Sequence, residues 1–338
     1  MKVLVTGGAG YIGSTVASGL LDAGHTPIII DNLSSGCRDF ITGRVFYEGD
    51  IADEELLNRI YNEHPDISCC MHFAARIIVP ESVEQPYLYY NENVTKSIAL
   101  FHSLQKMNIR NVIYSGSAAV YKETNDFVVN EDEDSHVKPL SPYARTKYIT
   151  EMVLEDFCNA DYFRGISLRY FNPIGAEEKM RTGPYVPEPT HIIGKLVKVA
   201  SGAESSFNIC GTDWPTRDGT AIRDYIHISD LANAHVLAAE KFESLFADKS
   251  EKYHVINIGS GNGVTVKEFT EAFMRVHGKK LPVINAPRRA GDVVGAYANC
   301  DKAYSLLGWQ AKHNIEDGIR AMLQWTNSER FRELRMEK

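Results

Sequence analysis

Lys2-Val3-Leu4-Val5-Thr6-Gly7-Gly8-Ala9-Gly10-Tyr11-Ile12-Gly13 is the stretch on which the fold turns. Its first five residues predict a short buried strand, and the pattern from Tyr11 to about Leu21, closed by Gly24, predicts a helix. Two glycine spacings overlap between them, Gly8-x-Gly10-x-x-Gly13 and Gly7-x-x-Gly10-x-x-Gly13. Glycine serves there for a tight turn, for close approach of backbone to a pyrophosphate, and for packing of helix on strand. The phosphates then sit at a helix N-terminus, where unpaired N–H groups and the helix dipole favour anions. The glycines by themselves are a weak signal; a strand before them and a helix after them supply the context the motif requires.

Working outward, a second strand over Thr26–Ile30 ends at Asp31, 18 residues past Gly13. A dinucleotide site places a carboxylate there, on the adenosine ribose hydroxyls, and a carboxylate repels a 2′-phosphate. NAD(H) is therefore expected over NADP(H), with Arg38 a competing phosphate partner further along the loop. Gly49-Asp50-Ile51, after a strand near Arg44–Tyr47, is placed to meet the adenine edge. Helical patterns near 52–62, 84–107 and 142–158 alternate with strands near 67–73, 111–115 and 165–171. That alternation predicts an α/β fold, a Rossmann-type doubly wound parallel sheet with helices on both faces. Ligands gather at the carboxyl ends of such strands, which aims Ser115–Ser117 and His72-Phe73-Ala74-Ala75 at the crevice. His72 itself reads as a satisfied strand-end histidine.

After Phe171 the character changes. Asn172-Pro173-Ile174-Gly175 and the proline-rich Gly183–Pro189 stretch read as an irregular connection. They divide the chain into a Rossmann domain over 1–173 and a smaller mixed α/β substrate domain over 174–338, some of whose segments return to the first. The second half carries helices near 190–201, 229–243 and 265–277, strands near 206–210 and 253–258, and a helical tail from about 315. Its two basic clusters, Arg223-Asp224-Tyr225-Ile226-His227 and Arg288-Arg289-Ala290-Gly291-Asp292, suit a diphosphate, because arginine binds phosphate oxygens in pairs.

Composition restricts the function classes. A net charge of −8 gives no electrostatic reason to expect nucleic acid or an anionic membrane as partner. No apolar run approaches the ~20 residues that span a bilayer, and a strand beginning at residue 2 leaves no room for a secretion signal. The six cysteines have neither C-x-x-C nor framework spacing, and Cys69 and Cys70 fall in an apolar strand as reduced core residues. No metal-ligand spacing stands out. A cytoplasmic protein is expected.

The chemistry is carried by Ser117 and by Tyr143 and Lys147 in S-P-Y-A-R-T-K. Positions i and i+4 share a helix face, so Lys147 lies beside Tyr143. A free tyrosine titrates near ~10 and is a poor base at neutral pH, whereas a nearby cation favours the phenolate. A serine that relays a proton completes a device for moving H⁺ to and from a carbinol oxygen. Among 17 tyrosines one such spacing is unremarkable, and the cofactor signal is what gives it meaning.

Taken together these segments resemble the extended short-chain dehydrogenase/reductase family, and within it the UDP-hexose 4-epimerases. The resemblance runs over nearly the whole chain: V-T-G-G-A-G-Y-I-G, D-N-L, G-D-I, H-F-A-A, E-S-V, Y-S-G-S-A-A-V-Y, S-P-Y-A-R-T-K, L-R-Y-F-N-P-I-G-A, P-T-R-D-G-T-A-I-R-D-Y-I-H-I-S-D-L-A and A-P-R-R-A-G-D. It implies a bound NAD⁺ that takes part without being consumed. Tyr143 removes the proton of the sugar 4-hydroxyl while C4 gives up a hydride, the 4-keto sugar turns over, and the hydride returns to the opposite face. Ser117 bridges the sugar oxygen and Tyr143, and Lys147 binds the nicotinamide ribose. By the same resemblance the cofactor is held by Gly7, Gly10, Tyr11, Ile12, Gly13, Asp31, Asn32, Asp50 and Ile51. Phe73, Ala74, Ala75, Asn93, Ser115, Tyr143, Lys147 and Phe171 complete that set. The UDP-hexose is met by Ser117, Tyr143, Asn172, His191, Arg223, Tyr225, Arg289, Asp292 and Ala296. A homodimer joined through the helices near 84–107 and 142–158 is implied as well.

Departures from the family pattern bear on the substrate. Lys122 follows Tyr121 where glycine is frequent, and Ile77 stands after H-F-A in a segment where many members carry a lysine, with Arg76 beside it as a substitute charge. His191 replaces a common asparagine. Ala296 occupies the gate position beside the sugar, where members restricted to simple hexoses carry a bulky residue. Room for an N-acetyl group follows, so UDP-GlcNAc and UDP-GalNAc are expected beside UDP-glucose and UDP-galactose. A nucleotide-sugar 4,6-dehydratase or decarboxylase needs an extra carboxylate near the catalytic hydroxyl, and Ser117-Ala118-Ala119 offers none. A redox-silent NAD-binding regulator has no use for the Tyr/Lys pair.

Overall fold

The computed structural model describes residues 1–338 except 134–135, 187, 289–291 and 337–338. Seven parallel strands form the main sheet: β1 (Lys2–Thr6), β2 (Thr26–Asp31), β3 (Val45–Glu48), β4 (Ile67–His72), β5 (Asn111–Ser117), β6 (Arg164–Tyr170) and β7 (Tyr253–Ile258). Their spatial order is β3-β2-β1-β4-β5-β6-β7. The order reverses between β1 and β4, and a doubly wound sheet opens its ligand crevice at that point.

The strands are buried on both faces, which explains why they read as continuous apolar runs. Val3, Val5, Ile29, Cys69 and Met71 face one core, with helix Tyr11–Asp22 and helix Ile228–Glu240 laid over them. Leu4, Ile28, Ile30 and Cys70 face the other, against helices Glu54–Glu63, Lys96–Lys106 and Pro142–Asn159. Each fully buried isoleucine contributes about 1.5–3 kcal/mol. All six cysteines are free thiols, and Cys69 and Cys70 point to opposite faces of β4.

Two features depart from the local sequence pattern. The helix expected over 84–107 is broken. Pro86–Tyr90 is followed by a π-turn at Asn91–Thr95 and only then by Lys96–Lys106. Pro86 cannot donate a backbone hydrogen bond, so the preceding short helix Val79–Glu84 ends before it. Asn172–Ile174, expected to be irregular, forms a short strand parallel to Ile222–His227. Two segments from the second half of the chain return to the first: β7 joins the main sheet, and helix Ile228–Glu240 packs on its face.

A separate small core gathers the remaining segments. Helices Ile192–Ala200, Val266–His277 and Ile315–Asn327 pack around Leu196, Phe269, Phe273 and Ile319. Among the described residues no helix is long and apolar enough to cross a membrane, and no group of three or more His, Cys, Asp or Glu could hold a metal.

Candidate active site

One cavity of about 1800 Å³ runs along the carboxyl ends of the strands and out between the main sheet and the second core. It exceeds the ~300–1,000 Å³ of an ordinary small-ligand pocket, as a site for two nucleotides must.

At one end stands the start of helix Tyr11–Asp22. Gly10 is its N-cap, no side chain caps it, and its first turn holds no acidic residue. Gly10 N–H is spent on the Gly7 carbonyl at 3.1 Å and Ser14 N–H on the Gly10 carbonyl at 2.9 Å, which leaves the N–H groups of the first turn, Tyr11, Ile12 and Gly13, at the cavity those residues line. Gly7 takes φ +68°, and a Cβ there would lie 2.7 Å from the Ala74 nitrogen. A Cβ on Gly13 would lie 2.3 Å from the Gly7 carbonyl oxygen. This uncapped cradle, with no acidic residue in its first turn, fits a pyrophosphate.

Asp31 ends β2 at the same rim. Its carboxylate accepts from the N–H of Ala9 at 3.0 Å and of Leu33 at 2.8 Å. A carboxylate has about four acceptor positions, so two remain for ribose hydroxyls. Burial raises its pKa above the usual carboxylate range, and the two N–H bonds oppose that. Arg38, the candidate competitor, is instead paired with Glu48. Asn32, Asp50, Ile51, Phe73, Ala74 and Ala75 also line the cavity. Asp50 is held by Lys96 at 2.6 Å, and Lys96 also reaches Glu92 at 2.8 Å.

The proton-handling groups face the middle of the cavity. Ser141 caps its helix by accepting from Ala144 N–H, and Pro142 sits at the first helical position, which places Tyr143 in the opening turn. The Tyr143 hydroxyl is 3.4 Å from Ser117 Oγ, and that oxygen also accepts from Ala119 N–H at 3.2 Å. The serine's own hydrogen is therefore available to a ligand. Lys147, one turn on, donates from Nζ to the Ser115 carbonyl at 2.8 Å and lies 5.0 Å from the Tyr114 ring centroid. Against the expected lowering of the Tyr143 pKa, burial pushes the phenol up, opposed by the Ser117 hydrogen bond. Burial also pulls Lys147 down to about 8.

Two expected cofactor or substrate contacts lie off the cavity wall. Asn93, in the π-turn, gives Oδ1 to the Arg76 N–H at 2.7 Å and donates Nδ2 to the Arg76 carbonyl at 2.9 Å and to Thr146 at 3.0 Å. Its amide is consumed in fixing the Ala75–Arg76 loop. Tyr225 is buried with its ring 4.3 Å from that of Phe269. Arg76 itself pairs with Glu81 at 3.3 Å, so it does not present a free charge in place of the missing lysine.

At the far end Phe171, Asn172, His191, Arg223, Asp292 and Ala296 line the cavity, and Lys122 and Ser115 join them. Asn172 donates to the Asp224 carbonyl at 2.9 Å, and His191 is the N-cap of helix Ile192–Ala200. Arg223 donates to the carbonyls of Ile222 and Val294 at 2.7 Å and of Val293 at 3.0 Å, which tie its strand to the Asp292–Ala296 segment. Arg289 lies outside the described residues.

Several groups were not singled out from sequence. Tyr170 is bonded to Ser115 Oγ, and Tyr185 donates to the Ser35 carbonyl. Each joins segments far apart in the chain, so no local pattern announces it. Glu151 is different: it continues the spacing of Tyr143 and Lys147 by one more turn.

Residues 3–259 match the NAD dependent epimerase/dehydratase family. The chain belongs to that family. Over 329 residues it is 41% identical to a UDP-glucose 4-epimerase of Azospirillum brasilense, covering 97% of this chain and 92% of that protein. Its fold superposes with a TM-score of 0.90, at 33% identity and full coverage of both chains, on a UDP-glucose-4-epimerase from Stenotrophomonas maltophila with bound NAD and formylated UDP-arabinopyranose. A Bifidobacterium longum UDP-glucose 4-epimerase in complex with NAD⁺ and UDP gives 0.89 at 34% identity, covering 98% of this chain and 99% of that one. The family is NAD-dependent, and the uncapped glycine turn with Asp31 at its rim is what such a dinucleotide requires.

Proposed function

We propose that this chain interconverts UDP-glucose and UDP-galactose by reversible oxidation at the sugar C4, and that it also accepts UDP-GlcNAc and UDP-GalNAc. The observation that carries the reading is the Tyr143–Ser117 contact of 3.4 Å on the wall of the cavity whose other end is the uncapped Gly10 helix start. When bound, NAD supplies the hydride acceptor and donor for that carbon.

The chain's own residues supply the rest. Tyr143 takes the 4-hydroxyl proton and later returns it. Ser117, accepting from Tyr143 and Ala119, directs its remaining hydrogen at the same sugar oxygen. Lys147 holds the nicotinamide ribose and gives the phenolate a cation. The N–H groups of Tyr11, Ile12 and Gly13 hold the pyrophosphate, and Asp31 holds the adenosine ribose. Asn172, Arg223, Arg289 and Asp292 grip the UDP moiety, so binding energy sits on the part that does not react while the sugar turns over. His191 contributes at the nucleotide end.

Ala296 supports the wider sugar range: it lines the cavity and packs beside Val120, Tyr121 and Phe171 with no more than a methyl group. The same reading includes a cytoplasmic homodimer. The exposed apolar Tyr87, Ile98 and Met152 on segments 86–106 and 142–159, and the six free thiols, support it.

The test is turnover of all four UDP-hexoses on one preparation, beside the Tyr143→Phe variant. Activity on UDP-galactose that vanishes in the variant supports the reading. Full activity in the variant refutes the assigned proton carrier, and refusal of both N-acetyl sugars refutes the wider range.

A further inference from the structure

Directly beneath the cavity wall lies a buried charged cluster that the reaction described above does not use. Tyr143, Lys147 and Glu151 recur every four residues along the Pro142–Asn159 helix, so one helix face brings all three to the sheet. The Glu151 side chain is 3% exposed and its partner Arg169 5%. Arg169 holds the carboxylate with Nη2 at 2.6 Å and Nε at 3.0 and 3.2 Å, and the Ser167 hydroxyl donates to it at 2.7 Å. From the other end of the guanidinium, Nη1 donates at 3.1 Å to the hydroxyl of Tyr121, a residue of the cavity wall.

Gly116 makes the room for this carboxylate. It is paired with Arg169 across the β5–β6 ladder, and a Cβ on it would lie 2.7 Å from Glu151 Oε1 and 2.6 Å from Ser167 Oγ. Gly116 stands between Ser115, whose carbonyl holds Lys147, and Ser117, which faces Tyr143. Burying an ion pair is a poor way to gain stability, since apolar replacements of similar volume are often neutral or better. Here a strand gives up a side chain at the active site to admit one.

We propose that Glu151 is a positioning residue for the reaction: its carboxylate, fixed by Arg169 and Ser167 against Gly116, keeps Lys147 protonated while Tyr143 ionises. Burial draws Lys147 down to about 8, and Glu151 is the charge that opposes it. The other groups on Lys147 are neutral near pH 7. They are the Tyr114 ring and Ser115 carbonyl on β5 and Tyr143 on its own helix, with its phenol pushed up. His72 on β4 is held near 3 by burial, with Lys147 as the second cause. Around Glu151 itself stand Tyr114, Tyr121 and, from β7, Tyr253, all phenols pushed up by burial. Loss of Glu151 thus removes the anion and lowers the Lys147 pKa. The charged fraction of Lys147 at neutral pH falls, and the Tyr143 phenolate loses its cation.

The experiment uses NAD-loaded protein and the variants E151D and E151Q/R169M, the latter removing both charges so that neither is left buried alone. Lys147 ionisation is read without sugar, from the ¹³C-lysine NMR signal that disappears in the matching Lys147→Met protein. The alkaline limb of kcat/KM for UDP-galactose is read in parallel, and that arm alone rests on the proposed epimerase activity. In E151Q/R169M the Lys147 titration and the alkaline limb are both expected about one pH unit lower. E151D, with the same charge on a shorter arm, is expected in between. An unmoved Lys147 titration in E151Q/R169M, or in E151D if only that protein folds, overturns the proposal and leaves Glu151 a structural residue. Absent turnover in the unaltered protein refutes the epimerase reading while the Lys147 titration still decides the role of Glu151.

Discussion

Tyr143 offers its hydroxyl to Ser117 Oγ across 3.4 Å, and the two residues come from different elements, a helix opening and a strand end. The contact exists because Ser141 and Pro142 start the helix one residue before Tyr143 and because β5 carries its side chains out to Ser117 at the crevice. Replacing Tyr143 by Phe keeps the ring and removes the proton carrier. Turnover is expected to fall by about 100-fold or more with little change in KM, because general acid–base groups contribute about that much. Ser117→Ala, which leaves Tyr143 its proton, is expected to cost less; steady-state kinetics on UDP-galactose compare the two.

The glycine loop makes a finer distinction. A Cβ on Gly13 would meet the Gly7 carbonyl at 2.3 Å, whereas on Gly10 its nearest contact is the same oxygen at 3.3 Å. Gly13→Ala is therefore expected to disturb the turn and lower the melting temperature of the protein with or without cofactor. Gly10→Ala is expected to keep the fold but place a methyl group where the pyrophosphate approaches. Quantifying co-purified NAD together with thermal melts separates the two outcomes.

Three buried histidines, His72, His227 and His235, are held neutral by burial, with pKa values lowered to about 3, 4 and 4. Unfolded, each titrates near ~6.5. Between those values the unfolded chain binds more protons than the folded one, so the stability present above pH ~6.5 is lost as pH falls toward about 4. Each histidine accounts for at most about 1.4 kcal/mol per pH unit in that window. Urea midpoints should drop from about pH 6.5 to about pH 5; a midpoint that rises or stays level contradicts the assignment.

Ala296 lines the sugar end of the cavity beside Tyr121 and Phe171. Ala296→Tyr is expected to lower kcat/KM for UDP-GlcNAc by about tenfold or more relative to UDP-galactose, because a phenol takes the volume that an N-acetyl group needs. The ratio of the two activities in one preparation reads this directly.

The candidate nucleotide site is legible because its signals are local. Gly7 through Gly13 form one turn between consecutive elements, and Asp31 follows at the end of the next strand. Tyr143 and Lys147 were legible for the same reason, since four residues on a helix fix their relation without reference to the rest of the chain. Asn93 lies off the cavity wall because Pro86 and the π-turn at Asn91–Thr95 interrupt what reads as one continuous helix, and the turn spends the amide on the Arg76 backbone. Arg76, read as a substitute charge, pairs at 3.3 Å with Glu81, which the short helix Val79–Glu84 turns back toward the loop.

The sequence by itself determined the strand–turn–helix that opens the Rossmann sheet, the carboxylate at its rim, and the pairing of a phenol with a cation, all relations within a few residues of one another. Only the tertiary structure decided which charges these groups meet. Burial pushes the Tyr143 phenol up, and Glu151 and Ser167 occupy the space that a side chain on Gly116 would need. Segment 228–258 returns to complete the main sheet. The reason is physical: a backbone pattern repeats along the chain and can be read there, whereas desolvation and ion pairing depend on which distant segments exclude water from a site.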